Sequence, residues 1–143
     1  MLRFVLLALF LAIPALRADT LWLADYKEAL AEAKKTGHPM LLAFTGSWNA
    51  CAKVDQEVFS TDDFRKYAAK HYVLLRLDFS ADPAKLPPGV EAQNEALKAK
   101  YGVVDFPSYL VLDPEEHLSK AMAGAPAGGA QGFIDALKLV EGN

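Results

Sequence analysis

The sequence predicts an α/β domain in which a central mixed β-sheet is flanked by helices, and three observations carry that expectation. Pro39-Met40-Leu41-Leu42-Ala43-Phe44 is apolar on both alternations, the pattern of a central strand covered on both faces. Helical stretches separate the earlier strands, which makes their pairing parallel through crossovers. Near the C-terminal end two strands, Ser108 to Leu112 and His117 to Met122, are separated only by the turn Asp113-Pro114-Glu115-Glu116, which makes an antiparallel hairpin. No Gly-rich phosphate loop follows the first strand, so a doubly wound nucleotide fold is not implied.

Each element has a local reason. Asp25 to Lys35 is rich in helix formers, and Tyr26, Ala29, Leu30 and Ala33 recur at three- and four-residue spacing to give one apolar face. Gly37 is placed as its C-cap, and Pro39 blocks continuation. After the strand ending at Phe44, the stretch Thr45-Gly46-Ser47-Trp48-Asn49-Ala50-Cys51 leads into an amphipathic helix running through Lys53 to Phe59. Ser60-Thr61-Asp62-Asp63 offers N-cap oxygens for a helix from Phe64 to Lys70, and His71 to Asp78 reads as a strand. Phe79 to Gly89 holds Asp82-Pro83 and Pro87-Pro88-Gly89 and is expected to be an irregular loop. A helix from Glu91 to Tyr101 stops at Gly102. Gly124 to Gly129 forms a small-residue loop, and Gln131 to Val140 a closing amphipathic helix. No internal repeat and no second domain is read.

Met1 to Ala18 reads as a secretory signal. Arg3 gives a basic n-region, Phe4 to Ile13 an apolar h-region, Pro14 a break, and Ala15-Leu16-Arg17-Ala18 a small residue at the cut. The apolar run is shorter than the ~20 residues that span a bilayer, and no Cys follows it to accept a lipid. The expectation is therefore a leader at 1–18, a single domain at 19–143, and a periplasmic or secreted location. The 143 residues carry 15 Lys+Arg against 18 Asp+Glu. Loss of Arg3 and Arg17 with the leader makes the balance more acidic still. That argues against nucleic acid, which calls for a basic surface. The single Cys cannot form an internal disulfide, so stability must come from the core.

Phe44-Thr45-Gly46-Ser47-Trp48 followed by Cys51-Ala52-Lys53-Val54-Asp55-Gln56-Glu57-Val58-Phe59 resembles the thioredoxin superfamily. The likeness is to exported bacterial members whose active segment runs Phe-Thr-Gly-Ser-(Asp)-Trp-Cys-x-x-Cys-Lys-Lys-Leu-Asp-x-Glu-Val-Phe. Gln93 to Leu97 through Tyr101-Gly102-Val103, and Phe106-Pro107-Ser108-Tyr109-Leu110-Val111-Leu112-Asp113, are second and third blocks of the same resemblance. It implies a thioredoxin-like fold over nearly all of the chain after the leader. It also implies that Pro107 is the cis-proline facing the active segment, with the backbone beside it binding extended substrate segments. A proline at a strand start can open a ladder but not continue one, which suits Phe106-Pro107.

The first cysteine of the motif is missing. Cys-x-x-Cys spacing counted back from Cys51 lands on Trp48; aligning Trp48 with the family's tryptophan instead puts Asn49 at the nucleophile position in a turn one residue shorter. On the resemblance Cys51 is the second, resolving cysteine, about a turn inside the helix and partly buried. A thiolate is favoured by free N–H groups at a helix N-terminus, and a shorter turn would bring Cys51 closer to them. Alone it cannot complete a redox cycle. The strand before the motif, where the family often carries a buried acid for the resolving thiol's proton, holds Leu41, Leu42 and Ala43.

Two readings follow. In the first, the protein is an exported thioredoxin-like protein with a degenerate redox motif. It contacts exported protein thiols, small thiols or extended peptides through Trp48, Asn49, Phe106 and Pro107, with at most single-cysteine mixed-disulfide chemistry at Cys51. A Cys51-linked dimer is also open under it. In the second, it is a redox-silent peptide-binding, chaperone or assembly module with Cys51 a small buried apolar residue. Trp48 is either a solvent-side platform for peptide or a lid on the core, and Lys53 either lowers the thiol's pKa or is a solvated helix charge. Trp22 is expected to dock the first helix. His38, His71 and His117 are scattered without metal-ligand spacing, so neither a metal nor a cofactor is expected. Asp55 and Glu57, two apart on a helix, do not face each other and make no carboxylate pair.

Overall fold

The computed structural model describes residues 21–80 and 82–141. The leader read at 1–18 lies outside the described residues. Five strands and five α-helices follow in the order β1 (Trp22–Leu23), α1 (Tyr26–Thr36), β2 (Met40–Thr45), α2 (Asn49–Val54), α3 (Asp62–His71), β3 (Val73–Asp78), α4 (Val90–Tyr101), β4 (Ser108–Leu112), β5 (Leu118–Ala123) and α5 (Gly129–Glu141). A π turn, Asp55–Phe59, continues α2, and a 3₁₀ turn, Pro83–Lys85, interrupts the loop after β3.

The sheet order is β1-β3-β2-β4-β5. β1 and β2 both run parallel to β3, whereas β4 is antiparallel to β2 and to β5. This is the mixed α/β architecture of the thioredoxin-like fold. β2 lies at the centre with all six residues buried, which explains its unbroken apolar run. Its side chains alternate between two cores. Leu41 and Ala43 join Leu74, Tyr109 and Val111 beneath α2, α3 and α5, packed by Val54, Val58, Phe59, Phe64, Phe133 and Leu137. Met40, Leu42 and Phe44 join Leu75, Leu77, Leu110 and Leu112 against Ala29 and Ala33 of α1 and Leu97 of α4.

The helix ends obey local chemistry. The Asp25 carboxylate accepts from the Glu28 N–H at 2.9 Å and opens α1. Gly37 closes it at φ 75°, a conformation other residues adopt at a cost, while its N–H reaches the Ala33 carbonyl at 2.8 Å. Thr61 Oγ1 caps α3 through the Phe64 N–H.

Four sequence expectations are corrected. β1 is a two-residue strand with no periodicity of its own, formed because Trp22 and Leu23 find Leu74 and Leu75 beside them. Trp22 does not dock α1. In β1 the alternation sends Leu23 to the α1 side and Trp22 to the other, where its ring lies 5.0 Å from Phe59 and 6.4 Å from Phe64. His71 ends α3 rather than opening β3. The helix after Cys51 is not uniformly α, because the Ser60 N–H reaches back five residues to the Asp55 carbonyl.

Candidate functional site

The turn between β2 and α2 brings the sequence-derived residues together. Trp48 is the N-cap of α2 with extended backbone, φ −72° and ψ 147°, and gives no side-chain cap. Its carbonyl takes the Cys51 N–H at 3.0 Å and the Ala52 N–H at 3.2 Å. Asn49 is thus the first helical residue and Cys51 the third, inside the first turn. The Trp48 ring folds back over Gly46, where a Cβ would overlap it. It stacks on Phe106, centroids 4.8 Å apart and planes 19° apart, while staying 48% exposed.

Phe106 continues into an aromatic row. Its ring meets Phe79 edge-on at 5.1 Å, Phe79 stacks on Phe44 at 6.3 Å, and Lys98 Nζ lies 5.7 Å over Phe79. The Phe106–Pro107 peptide bond is cis, and the Pro107 carbonyl accepts the Gly124 N–H at 2.9 Å, tying this loop to the end of β5. Trp48, Phe106 and Pro107 therefore meet through the stacked pair, and Asn49 is exposed at the helix start beside them.

Cys51 is 1% exposed. With its sulfur buried, any disulfide at Sγ, to a substrate or to a second copy, requires the first turn of α2 to open, and nothing among the described residues supports the linked dimer. Lys53 is exposed on the outer side of α2, the solvated charge of the two alternatives.

Beneath α2 and its π turn the sheet carries polar groups that sequence reasoning missed. Ala43 of β2 stands in register between Arg76 of β3 and Tyr109 of β4. One turn beyond Cys51, Asp55 receives the Arg76 guanidinium on both oxygens, at 3.2 and 3.3 Å. The same guanidinium lies 4.9 Å over the Trp22 ring. Tyr109 is 1% exposed, and its hydroxyl has no hydrogen-bond partner among the described residues. Burial pushes its phenol far above the usual tyrosine range, with Cys51 and Asp55 adding to the shift and Arg76 opposing it. A lone Arg within the apolar run Val73 to Leu77 was the one sequence signal that a polar group lay inside. No group of His, Cys, Asp and Glu arranged to hold a metal occurs among the described residues.

Comparison with known proteins agrees with this geometry. Residues 21–114 match a family model described as thioredoxin-like. The chain is 31% identical over 121 residues to the disulfide bond reductase DsbH of Chlamydia pneumoniae, covering 82% of this chain and 70% of that protein. It is also 31% identical over 119 residues to the thioredoxin-related protein DsbJ of the same organism, covering 77% of this chain but only 34% of DsbJ. Among solved structures, a DsbH oxidoreductase superposes with a TM-score of 0.77 at 28% identity, over 90% of this chain and 88% of its own. A disulphide isomerase from Xylella fastidiosa superposes with a TM-score of 0.62 at 22% identity, over 80% and 87% of the two chains, a likeness of fold.

Proposed function

The chain belongs to the thioredoxin-like family, and from that premise we propose that it is an exported member with a degenerate redox motif, acting on protein or small-molecule thiols through single-cysteine chemistry at Cys51. One observation carries the reading. The sole cysteine lies in the first turn of α2, three residues after Trp48, whose ring forms an exposed aromatic face with Phe106 beside Pro107. The names of the similar proteins, a disulfide bond reductase and a thioredoxin-related protein, support the chemical class.

In this reading an extended segment or small disulfide docks across Trp48, Asn49, Phe106 and Pro107. The Cys51 thiolate attacks a disulfide R–S–S–R′, forming Cys51–S–S–R and expelling R′–S⁻, which takes a proton from water. No second cysteine exists in the chain to resolve the adduct, so release requires an external thiol that attacks the mixed disulfide. The leader at 1–18 delivers the protein to the periplasm or beyond, with cleavage near Ala18. N-terminal sequencing of protein recovered from the envelope fraction checks that step; an intact Met1 there overturns it.

The chemical test is incubation of the native protein with oxidised glutathione followed by intact-mass measurement. One glutathionyl group per chain, removed by a monothiol and absent from Cys51→Ala, is the expected result. A second reading, a redox-silent peptide-binding module, is favoured by the 1% exposure of Cys51. It predicts no adduct until the protein is unfolded, together with peptide binding that survives Cys51→Ala and is lost in Trp48→Ala.

A further inference from the structure

We infer that the cavity where β3 runs on past the end of β1 is a docking site for an extended polypeptide held by its main chain, with the Asn94 amide and the open edge of β3 supplying the hydrogen bonds. The site is separate from Cys51 and from the Trp48–Phe106 face, and binding there needs no thiol.

β3 is longer than the strand on its outer side. The Val73 N–H donates to the Pro39 carbonyl and the Phe79 N–H to the Thr45 carbonyl, both at 2.9 Å and both toward β2. Backbone direction alternates along a strand, so Leu74, Arg76 and Asp78 turn their N–H and C=O groups to the β1 side. β1 ends at Leu23, in register with Leu75. The Arg76 carbonyl and the Asp78 N–H therefore lie past its end, with no strand beside them among the described residues. Gln93 of α4 keeps this edge open. Its Oε1 accepts the Tyr26 N–H at 2.7 Å and its Nε2 donates to the Ala24 carbonyl at 3.0 Å. These bonds draw the chain off the sheet after Leu23 and into α1.

Between the open edge and α4 lies a cavity of about 290 Å³, with Arg76 and Asp78 on one side and Leu86, Val90 and Asn94 on the other. Asn94 is a polar residue only 2% exposed. Because the Tyr26 N–H fixes which end of the Gln93 amide is oxygen, Gln93 Nε2 is the atom that faces Asn94, and it donates to Asn94 Oδ1 at 3.0 Å. The Asn94 Nδ2 hydrogens then point elsewhere, and no acceptor meets them among the described residues. Asn94 lines both this cavity and a smaller one beside it, bordered by Asp78, Phe79 and Glu91. A buried amide donor left unmade is costly, so the cavity calls for a carbonyl. Charge decides against an anion: Arg76 is held by Asp55 and the Trp22 ring, while Asp78 and Glu91 border the same space. A neutral main chain fits. Its carbonyls meet Asn94 Nδ2 and the Asp78 N–H, its N–H meets the Arg76 carbonyl, and its side chains meet Leu23, Leu86 and Val90. The stretch from Arg76 to Asp78 is about 10 Å long, enough to pair a short extended segment. Asp78 precedes Phe79, whose ring meets Phe106 at 5.1 Å, so a polypeptide seated here lies at the same end of the sheet as Trp48.

The test is a peptide titration of the ¹⁵N-labelled protein followed by NMR. The probe is acetyl-Thr-Val-Thr methylamide, whose β-branched residues favour extended backbone. The Asn94 side-chain amide pair and the Asp78 N–H should shift together and saturate, in Cys51→Ala as in the wild type. An analogue with its two central amides replaced by esters keeps the side chains but loses N–H donors, and should bind about tenfold more weakly. Asn94→Asp still accepts from Gln93 but has no donor, and should weaken binding of the amide peptide about tenfold. Shifts confined to Trp48, Asn49 and residues 106–108 overturn the inference while leaving the peptide face at Trp48 standing. Equal binding of amide and ester overturns it as well, as does the absence of a saturable shift at Asn94. If Asn94→Asp does not fold, the comparison of amide with ester on the wild type decides on its own.

Discussion

The Trp48 ring lies against Phe106 at 4.8 Å and over the Cα of Gly46, so the size of residue 46 decides where the exposed tryptophan sits. Gly46→Ala places a methyl where the indole ring lies. The indole must then swing off Phe106, forfeiting a stacked pair worth about 0.5–1.5 kcal/mol. In a Trp48→Ala background the same change has nothing to displace. Denaturant unfolding of the four proteins gives the coupling between the two sites, and a cycle that is additive within about 0.3 kcal/mol contradicts this account. In Gly46→Ala, peptide binding through this face should fall together with the stack.

Arg76 holds two unlike partners at once, the Asp55 carboxylate and the Trp22 ring. Lysine keeps the charge but loses both the fork and the flat face that stacks. The ion pair is partly open to solvent, with the two side chains 27% and 35% exposed, so screening keeps its worth small. Arg76→Lys should lower stability by about 1 kcal/mol or less, measured by urea unfolding, and part of that loss should disappear in high salt. A loss above about 3 kcal/mol would mean the guanidinium bears structure that these contacts do not account for.

Much of this architecture is legible from local pattern, and its limits are specific. β2 announces itself by the five apolar residues Met40 to Phe44, α1 by its spacing and by Gly37, and the β4–β5 hairpin by Asp113-Pro114. β1 has two residues and exists only because β3 is beside it, so no window of sequence could reveal it. The same holds for the polar row beneath α2 and its π turn. Asp55, Arg76 and Tyr109 are 21 and 33 residues apart in successive steps, and only the parallel crossover and the return of β4 place them together. Cys51 could be given a turn of helix from its motif, but its position as the third helical residue depended on how the shortened turn closed. The Trp48–Phe106 contact was readable only as a shared face, not as a stack.

The β4–β5 turn carries a pH dependence of definite sign. The Asp113 carboxylate accepts the Glu115 and His117 N–H groups at 2.9 Å each and meets His117 Nδ1 at 2.9 Å. The His117 backbone bond is the largest cause holding the Asp113 carboxyl below the ordinary aspartate range, with the His117 ring adding to it. A carboxyl whose folded value is depressed contributes stability above the unfolded value, about 3.9, and loses it as pH falls through the folded one. In Asp113→Asn the amide oxygen can still accept the two N–H groups, but the charge is gone. The wild type should therefore melt higher than Asp113→Asn at pH 6, and the gap should close as pH is lowered below about 4. A gap that is constant to pH 2, followed by circular dichroism, contradicts the assignment.

Phe133 is the aromatic anchor of the closing helix α5, beside the buried Ile134 and Leu137. Phe133 is fully buried and meets Phe59, Phe64 and Tyr109 edge-on, with centroids 5.5, 5.8 and 5.0 Å away. These four come from α5, the π turn, α3 and β4, so the ring is where the layer above the sheet closes. Phe133→Ala opens a cavity that none of its neighbours can fill without leaving its own packing, and should cost about 3–5 kcal/mol. That is a large share of the 5–15 kcal/mol typical of a whole domain. Phe133→Leu keeps much of the volume and should cost far less, about 1–2 kcal/mol. On the same helix Leu139 is 70% exposed, and Leu139→Ala should stay within about 0.5 kcal/mol. Equilibrium unfolding in guanidinium of the three variants orders them, and a Leu139 effect as large as that of Phe133 would show that α5 docks by a different face.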